Sequence, residues 1–185
     1  SIPTDEVSET FSFPFGDGYV MSLDRGKTFS EPRLNELSVR SFVQIPNHPE
    51  QWLAAVHETS VGGVVTSYDY GETWQETFFP RCNTEHFMSL AVSSGSTMRF
   101  LGAAVGGGIV TSTDTFLTCN RVFNTAPIRD IAFSPLNPNL AFAAAAGPPY
   151  GGVYISTDAG ATWTQDSAHN LRHLRVLSIL PSSQD

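Results

Sequence analysis

The chain has 185 residues, a net charge of −8, 41% hydrophobic and 15% charged residues, and a single lysine, Lys27, among ten basic side chains. That balance argues against nucleic-acid binding, which calls for basic patches, and no apolar run approaches the ~20 residues of a membrane span. With 15 glycines and 12 prolines, the composition suits one all-β domain rich in turns and long enough to bury a real core.

In chain order, Ser1-Ile2-Pro3 reads as the tail of a first strand and is followed by the phrase SLDRGKTF at 22–29. The second unit reads as strands VRSFVQIP (39–46), WLAAVHET (52–59), GGVVTS (62–67) and ETWQETFF (72–79), with SYDYGETW at 67–74 between the last two. The third reads as HFMSLAVSS (86–94), RFLGAAVG (99–106), GGIVTS (107–112) and TCNRVFN (118–124), around STDTFLTC at 112–119. The fourth reads as RDIAFSP (129–135), LAFAAAAG (140–147), GGVYIST (151–157) and ATWTQ (161–165), around STDAGATW at 156–163. A turn or two of helix is expected near 167–172, then LRVLSILP at 174–181 as a complete first strand.

The serines of the four phrases, Ser22, Ser67, Ser112 and Ser156, fall at a period of about 45 residues, the signature of an array of small sheets such as a β-propeller. Four-stranded antiparallel blades are expected over about 1–34, 35–82, 83–125 and 126–168, with 169–185 supplying the inner strand of a further or closing blade. Either that strand closes a permuted four-bladed ring, or the four blades belong to a larger propeller. Small residues at 54–56, 103–105 and 143–146 fall on the same strand of each unit, where closely packed faces need them.

Each phrase has the form Ser-x-Asp-x-Gly-x-Thr-aromatic. An aspartate at a turn accepts backbone N–H groups just ahead of it, and the glycine two residues on takes a positive φ at little cost. Asp24, Asp69, Asp114 and Asp158, with Gly26, Gly71 and Gly160, are therefore expected to form turns. Phe29, Trp74 and Trp163 offer apolar faces to a neighbouring sheet. In the third phrase Phe116 replaces the glycine and Cys119 the aromatic, so a different turn shape is expected there.

The phrase resembles the Asp-box, or BNR repeat, of sialidases, xyloglucan-degrading glycoside hydrolases, sortilin-type receptors and photosystem II assembly factors. The resemblance implies a β-propeller whose boxes lie in the outer part of each blade, remote from any active site.

Chemistry is expected instead where inner strands line the channel. Arg40, Arg129 and Arg175 begin three of them, and His86 is read as the counterpart in the third blade. A ring of guanidiniums suits carboxylate or phosphate because each fork donates two parallel hydrogen bonds; alternatively each arginine pairs with an acid such as Asp130 or Glu85. The resemblance to sialidases implies an arginine cluster, a tyrosine nucleophile with an acidic partner and an Arg-Ile-Pro motif, yet Ile2-Pro3 and Ile45-Pro46 follow no arginine and no Tyr-Glu pair can be placed. A hydrolase needs two carboxylates ~5–10 Å apart; among Asp5, Glu6, Glu9, Asp17, Glu50, Glu58, Glu85 and Asp130 the spacing picks out no pair. His169 and His173 have i, i+4 spacing without an acidic third ligand, and no metal or cofactor is expected.

The loop 147–152 would present Tyr150 as an aromatic tip for a partner or a sugar ring. Cys82 and Cys119 suit a disulfide between adjacent blades, or two unpaired thiols, and cannot form a metal cluster alone. The chain begins with Ser1 and shows no targeting segment, which points to processing or trimming. The sequence thus supports a non-catalytic interaction or assembly module binding a protein partner, with an extracytoplasmic location, secreted or in an organelle lumen such as the thylakoid. The alternative is a carbohydrate-active segment of a larger glycoside hydrolase, for which carbohydrate would be the ligand.

Overall fold

A computed structural model describes residues 9–12, 18–35, 37–57, 62–76 and 86–183. All of its regular structure is β. Three four-stranded antiparallel sheets follow one another in chain order. The first holds β3 (Ser38–Ile45), β4 (His48–His57), β5 (Gly62–Ser67) and β6 (Gln75–Glu76); the second holds β7 (Phe87–Val92), β8 (Phe100–Ala104), β9 (Ile109–Ser112) and β10 (Asn120–Phe123); the third holds β11 (Ile128–Phe133), β12 (Ala141–Ala145), β13 (Gly152–Ser156) and β14 (Thr164–Gln165). Before them, β1 (Glu9–Ser12) pairs with β2 (Tyr19–Ser22), and an isolated bridge joins Tyr19 to Arg33. By position β1, β2 and Arg33 match the second, third and fourth strands of a blade.

Each seam between neighbouring sheets has its own core. Tyr19 and Met21 meet Val39, Trp52, Ala54, Val56 and Val65 at the first seam. Ile45, Leu53, Ala55 and Val64 meet Phe87, Leu90, Phe100, Val110 and Phe116 at the second. Leu101, Ala103 and Ile109 meet Ile128, Ile131, Ala141, Ala143 and Tyr154 at the third. The expected small-residue strand is the second of each blade: Ala54, Ala55, Ala103, Ala143, Ala144 and Ala145 are fully buried. Their size lets sheets pack at the ~10 Å spacing of stacked β faces.

The inner strands share an irregularity that periodicity does not reveal. The register slips by one residue between Val39 and Ser41, between Phe87 and Ser89, and between Ile128 and Asp130. Arg40, Met88 and Arg129 are therefore the extra residues of three equivalent bulges, which leave the ladder and re-aim the side chain. The residue after each bulge stitches the seams. Ser41 Oγ accepts the N–H of Leu90 (3.0 Å), and Ser89 Oγ–H donates to Asp130 Oδ1 (2.7 Å).

The segment 174–181 does not form the strand expected of it. It runs along the last sheet without joining a ladder: Val176 N–H donates to the carbonyl of Ala145, while Ser178 Oγ–H and the N–H of Ile179 both donate to Asp130 Oδ2. Ile179 thus meets Asp130 as Leu90 meets Ser41, the position of the next blade's inner strand. A strand is defined by its ladder partner, and this segment pairs with no strand among the described residues. The helical turn expected near 167–172 is a run of bends ending in one hydrogen-bonded turn, Leu171 to Leu174.

Candidate interaction face

Antiparallel order gives the blades two distinct ends. At one end the second and fourth phrases lie beside the turns joining first and second strands: Tyr70 N–H donates to the carbonyl of Glu50, and Ala159 N–H to that of Asn139. In all four phrases the serine hydroxyl donates to the aspartate, at 2.7–2.9 Å. The same hydroxyl oxygen accepts the N–H of the residue in the glycine position. The aspartate also accepts both the amide and the hydroxyl of the threonine four residues on. Two consecutive positive-φ residues complete each turn, Arg25 with Gly26, Tyr70 with Gly71, Thr115 with Phe116 and Ala159 with Gly160.

These donors hold the carboxylates below their ordinary range. The threonine hydroxyl is the largest influence at Asp24, Asp69 and Asp158, and it lowers Asp158 to about 2. At Asp114 burial is the largest influence and pushes upward, but the Thr118 hydroxyl and amide with Ser112 outweigh it.

The third turn corrects the expectation of another shape. Phe116 takes φ 66° in the glycine position and donates its N–H to Ser112 Oγ like the others. Burial offsets the strain: the ring is 3% exposed and packs on Phe87 and Phe100, with centroids 5.2 and 6.0 Å away. A positive φ at a bulky residue costs about 1–3 kcal/mol, which burial of a phenylalanine of about 1.5–3 kcal/mol matches. Trp74 meets Tyr19 and Phe42, and Trp163 packs on the third seam, whereas Phe29 is 52% exposed. Tyr19 is fully buried; burial raises its phenol, whose hydroxyl donates to the carbonyl of Gly71 and accepts Trp74 Nε1–H.

The opposite end carries Arg40, His86, Arg129, Arg175 and the loop of Tyr150. The structure brings these to one end but splits them into two rows. Arg40 and Arg129 share the bulge position with Met88, not with His86. The seam bonds place Leu177 in that same row, because Ser178 and Ile179 occupy the places of Ser89 and Leu90. Arg175 therefore matches His86, two residues upstream. The expected equivalence of His86 with Arg40 is corrected: the bulge residues Arg40 and Met88 lie 48 positions apart, so a spacing of 46, that of Arg129 and Arg175, lands on His86 two residues early. A sequence signal for it exists: Arg40-Ser41-Phe42, Met88-Ser89-Leu90, Arg129-Asp130-Ile131 and Leu177-Ser178-Ile179 share a short polar residue followed by an apolar one.

Arg40, Arg129 and Arg175 are exposed, and the ion pairs among the described residues are Arg33–Glu72, His48–Glu50 and His169–Asp166. Asp130, the acid offered as their alternative partner, instead accepts Ser89, Ser178 and the N–H groups of Ile131 and Ile179. Glu85, the other, lies outside the described residues, as do Asp5, Glu6, Asp17 and Glu58. Tyr150 is 48% exposed and its carbonyl accepts the Tyr154 hydroxyl, while the Pro149 carbonyl faces His173 Nδ1 at 2.8 Å. Cys119 packs on the second seam and is not a free thiol; Cys82 lies outside the described residues. Among the described residues no group of three potential metal ligands occurs, and no helix is long and apolar enough to cross a membrane.

A family model described as the BNR/Asp-box repeat matches residues 154–165. No curated protein matches the sequence. Among solved structures, an ancestral GH74 enzyme superposes with a TM-score of 0.69 at 19% identity, over 94% of this chain and 26% of that one. The GH74 xyloglucanase from Xanthomonas campestris gives 0.55 at 17% identity, over 90% and 27%. YCF48 from Cyanidioschyzon merolae gives 0.54 at 17% identity, over 72% and 38%. The chain thus spans between 26% and 38% of these structures, and at such identities the likeness is one of fold. The comparisons thus show an Asp-box repeat at the fourth turn and, over most of the chain, the fold of these β-propeller structures.

Proposed function

We propose that the chain is a non-catalytic interaction module, part of a larger propeller, that binds a protein partner through the end bearing Arg40, Arg129, Arg175 and Tyr150. One observation carries this reading. The three arginines are exposed and outside every ion pair among the described residues, while Asp130 in their midst is filled by hydrogen-bond donors. Guanidiniums so placed suit an incoming carboxylate. Acid–base hydrolysis of a glycoside needs two available carboxylates. At this end Asp130 is occupied and Asp166 is held by Ala168 N–H and His169. An extracytoplasmic location, secreted or luminal, goes with this proposal.

The rival, a carbohydrate-active segment of a larger hydrolase, is favoured by the likeness to GH74 enzymes, one a xyloglucanase. Its site would need carboxylates outside the described residues or outside this chain.

The test joins two measurements on the purified chain. Xyloglucan should release no reducing ends above buffer. A partner retained from the source extract should be lost by the R40E/R129E/R175E variant and kept by Asp158→Asn at the opposite end. Hydrolysis above buffer, or retention indifferent to the three reversals, would overturn the proposal.

A further inference from the structure

We infer that the row formed by Arg40, Met88, Arg129 and Leu177 is a docking surface for an extended acidic peptide segment with apolar residues between its carboxylates. The inference rests on the reading of this end as a partner-binding face and names the chemistry of the partner. Three of the four residues hold one position in three consecutive inner strands, fixed by the register slips, and Leu177 holds the matching place in the segment that follows the last sheet, fixed by the seam bonds from Leu90 to Ser41, Ser89 to Asp130 and Ile179 to Asp130. Read along the row, the side chains alternate cation, thioether, cation, isobutyl.

A bulge takes its extra residue out of the ladder, which re-aims Arg40, Met88 and Arg129 away from the pairing within their blades. Arg40, Arg129 and Leu177 are exposed, Leu177 at 59%, and Met88 is half-buried on the third seam. Methionine and leucine give apolar contact, and methionine adapts its shape to the occupant. Each arginine fork accommodates a carboxylate in a bidentate pair. Charge complementarity selects the sign of the partner, since the ion pairs among the described residues leave Arg40, Arg129 and Arg175 out. Because side chains of an extended chain alternate in direction, a peptide with a carboxylate at every fourth residue and an apolar residue midway between turns both kinds toward the row, where they meet the cations and Met88 or Leu177 in alternation. A polyanionic glycan satisfies the cations but leaves the two apolar positions without a counterpart.

The test is fluorescence anisotropy with a labelled heptapeptide Glu-Ser-Leu-Ser-Glu-Ser-Leu, whose alternate residues present glutamate and leucine on one face, using the full 185-residue chain at low salt. Saturable binding is expected, weakened roughly tenfold by Arg40→Ala and again by Arg129→Ala, and several-fold by Met88→Ser. The same peptide with glutamine for glutamate should not bind, and added salt should weaken the complex. Circular dichroism establishes that each variant is folded. Equal binding of the glutamine peptide, indifference to both arginine variants, or competition by polygalacturonate at equal carboxylate concentration would each overturn the inference. A natural partner still lost by the triple reversal would then leave the interaction role standing without its acidic-segment partner; a partner also indifferent to the reversal would remove both.

Discussion

Asp158 gives the sharpest test of how the repeats are held. Its carboxylate accepts Ser156 Oγ–H at 2.7 Å, Thr162 N–H at 2.8 Å and Thr162 Oγ–H at 2.6 Å. Asp158→Ala removes the acceptor of all three bonds. Hydrogen bonds to a charged group contribute about 1.5–3 kcal/mol each when buried, but this turn is exposed and water replaces part of each. The expected cost is about 2 kcal/mol in total, or a fall in Tm of roughly 4–8 °C for a chain of this size.

Asp158→Asn keeps one acceptor and isolates the charge. With its pKa lowered from 3.8 to about 2, the carboxylate stabilises the fold above pH 3.8, and that stabilisation is lost as pH falls through 2. The shift sets a ceiling of roughly 2.5 kcal/mol, which solvent screening at this exposed site reduces to about 1 kcal/mol. Urea unfolding followed by tryptophan fluorescence from pH 7 to pH 2 measures both effects. An Asp158→Ala variant as stable as the parent, or an Asn–Asp difference unchanged between pH 7 and pH 2, would refute the reasoning.

Three further outcomes are expected. Phe116→Gly relieves the positive φ but empties a buried site; the cavity outweighs the relief and the net loss is about 2 kcal/mol in urea unfolding, whereas a more stable variant would contradict the offset between strain and burial. Asp130→Ala removes the acceptor of Ser178 and Ile179, so limited trypsin digestion should cut at Arg175 several-fold faster than in the parent, and an unchanged rate would show that Asp130 does not hold the segment. A disulfide between Cys82 and Cys119 should appear as a cross-linked peptide pair in the unreduced tryptic digest, with no thiol titrated until reductant is added; a titratable thiol in the untreated chain would contradict the pairing.

The repeats were legible in the sequence because Ser-x-Asp-x-Gly-x-Thr is a self-contained circuit: every bond of the turn closes within seven residues, as Ser156 through Thr162 illustrate. The small-residue strands were legible for a similar reason, since only alanine or glycine suits faces as close as those around Ala54 and Ala143. The inner-strand register was not. Equivalent inner-strand residues are unevenly spaced, Arg40 to Met88 by 48 and Met88 to Arg129 by 41, so a near-constant period points to His86 where the ladder places Met88. Phe116 misled in the opposite direction: a local φ penalty suggested a new turn, and tertiary packing on Phe87 and Phe100 reversed it. The segment 174–181 has a strand's composition, but strand identity depends on a ladder partner that local composition does not supply.

The central claim is that the end opposite the Asp-box turns is where this propeller meets its partner. Hydrogen–deuterium exchange of the chain with and without the co-purifying partner tests it most directly. Slowed exchange at 38–42, 86–90, 127–131, 147–151 and 174–178, with the turns at 22–28, 67–73, 112–118 and 156–162 unchanged, is the predicted result. Protection confined to those turns, or no protection at the arginine-bearing end, would contradict it.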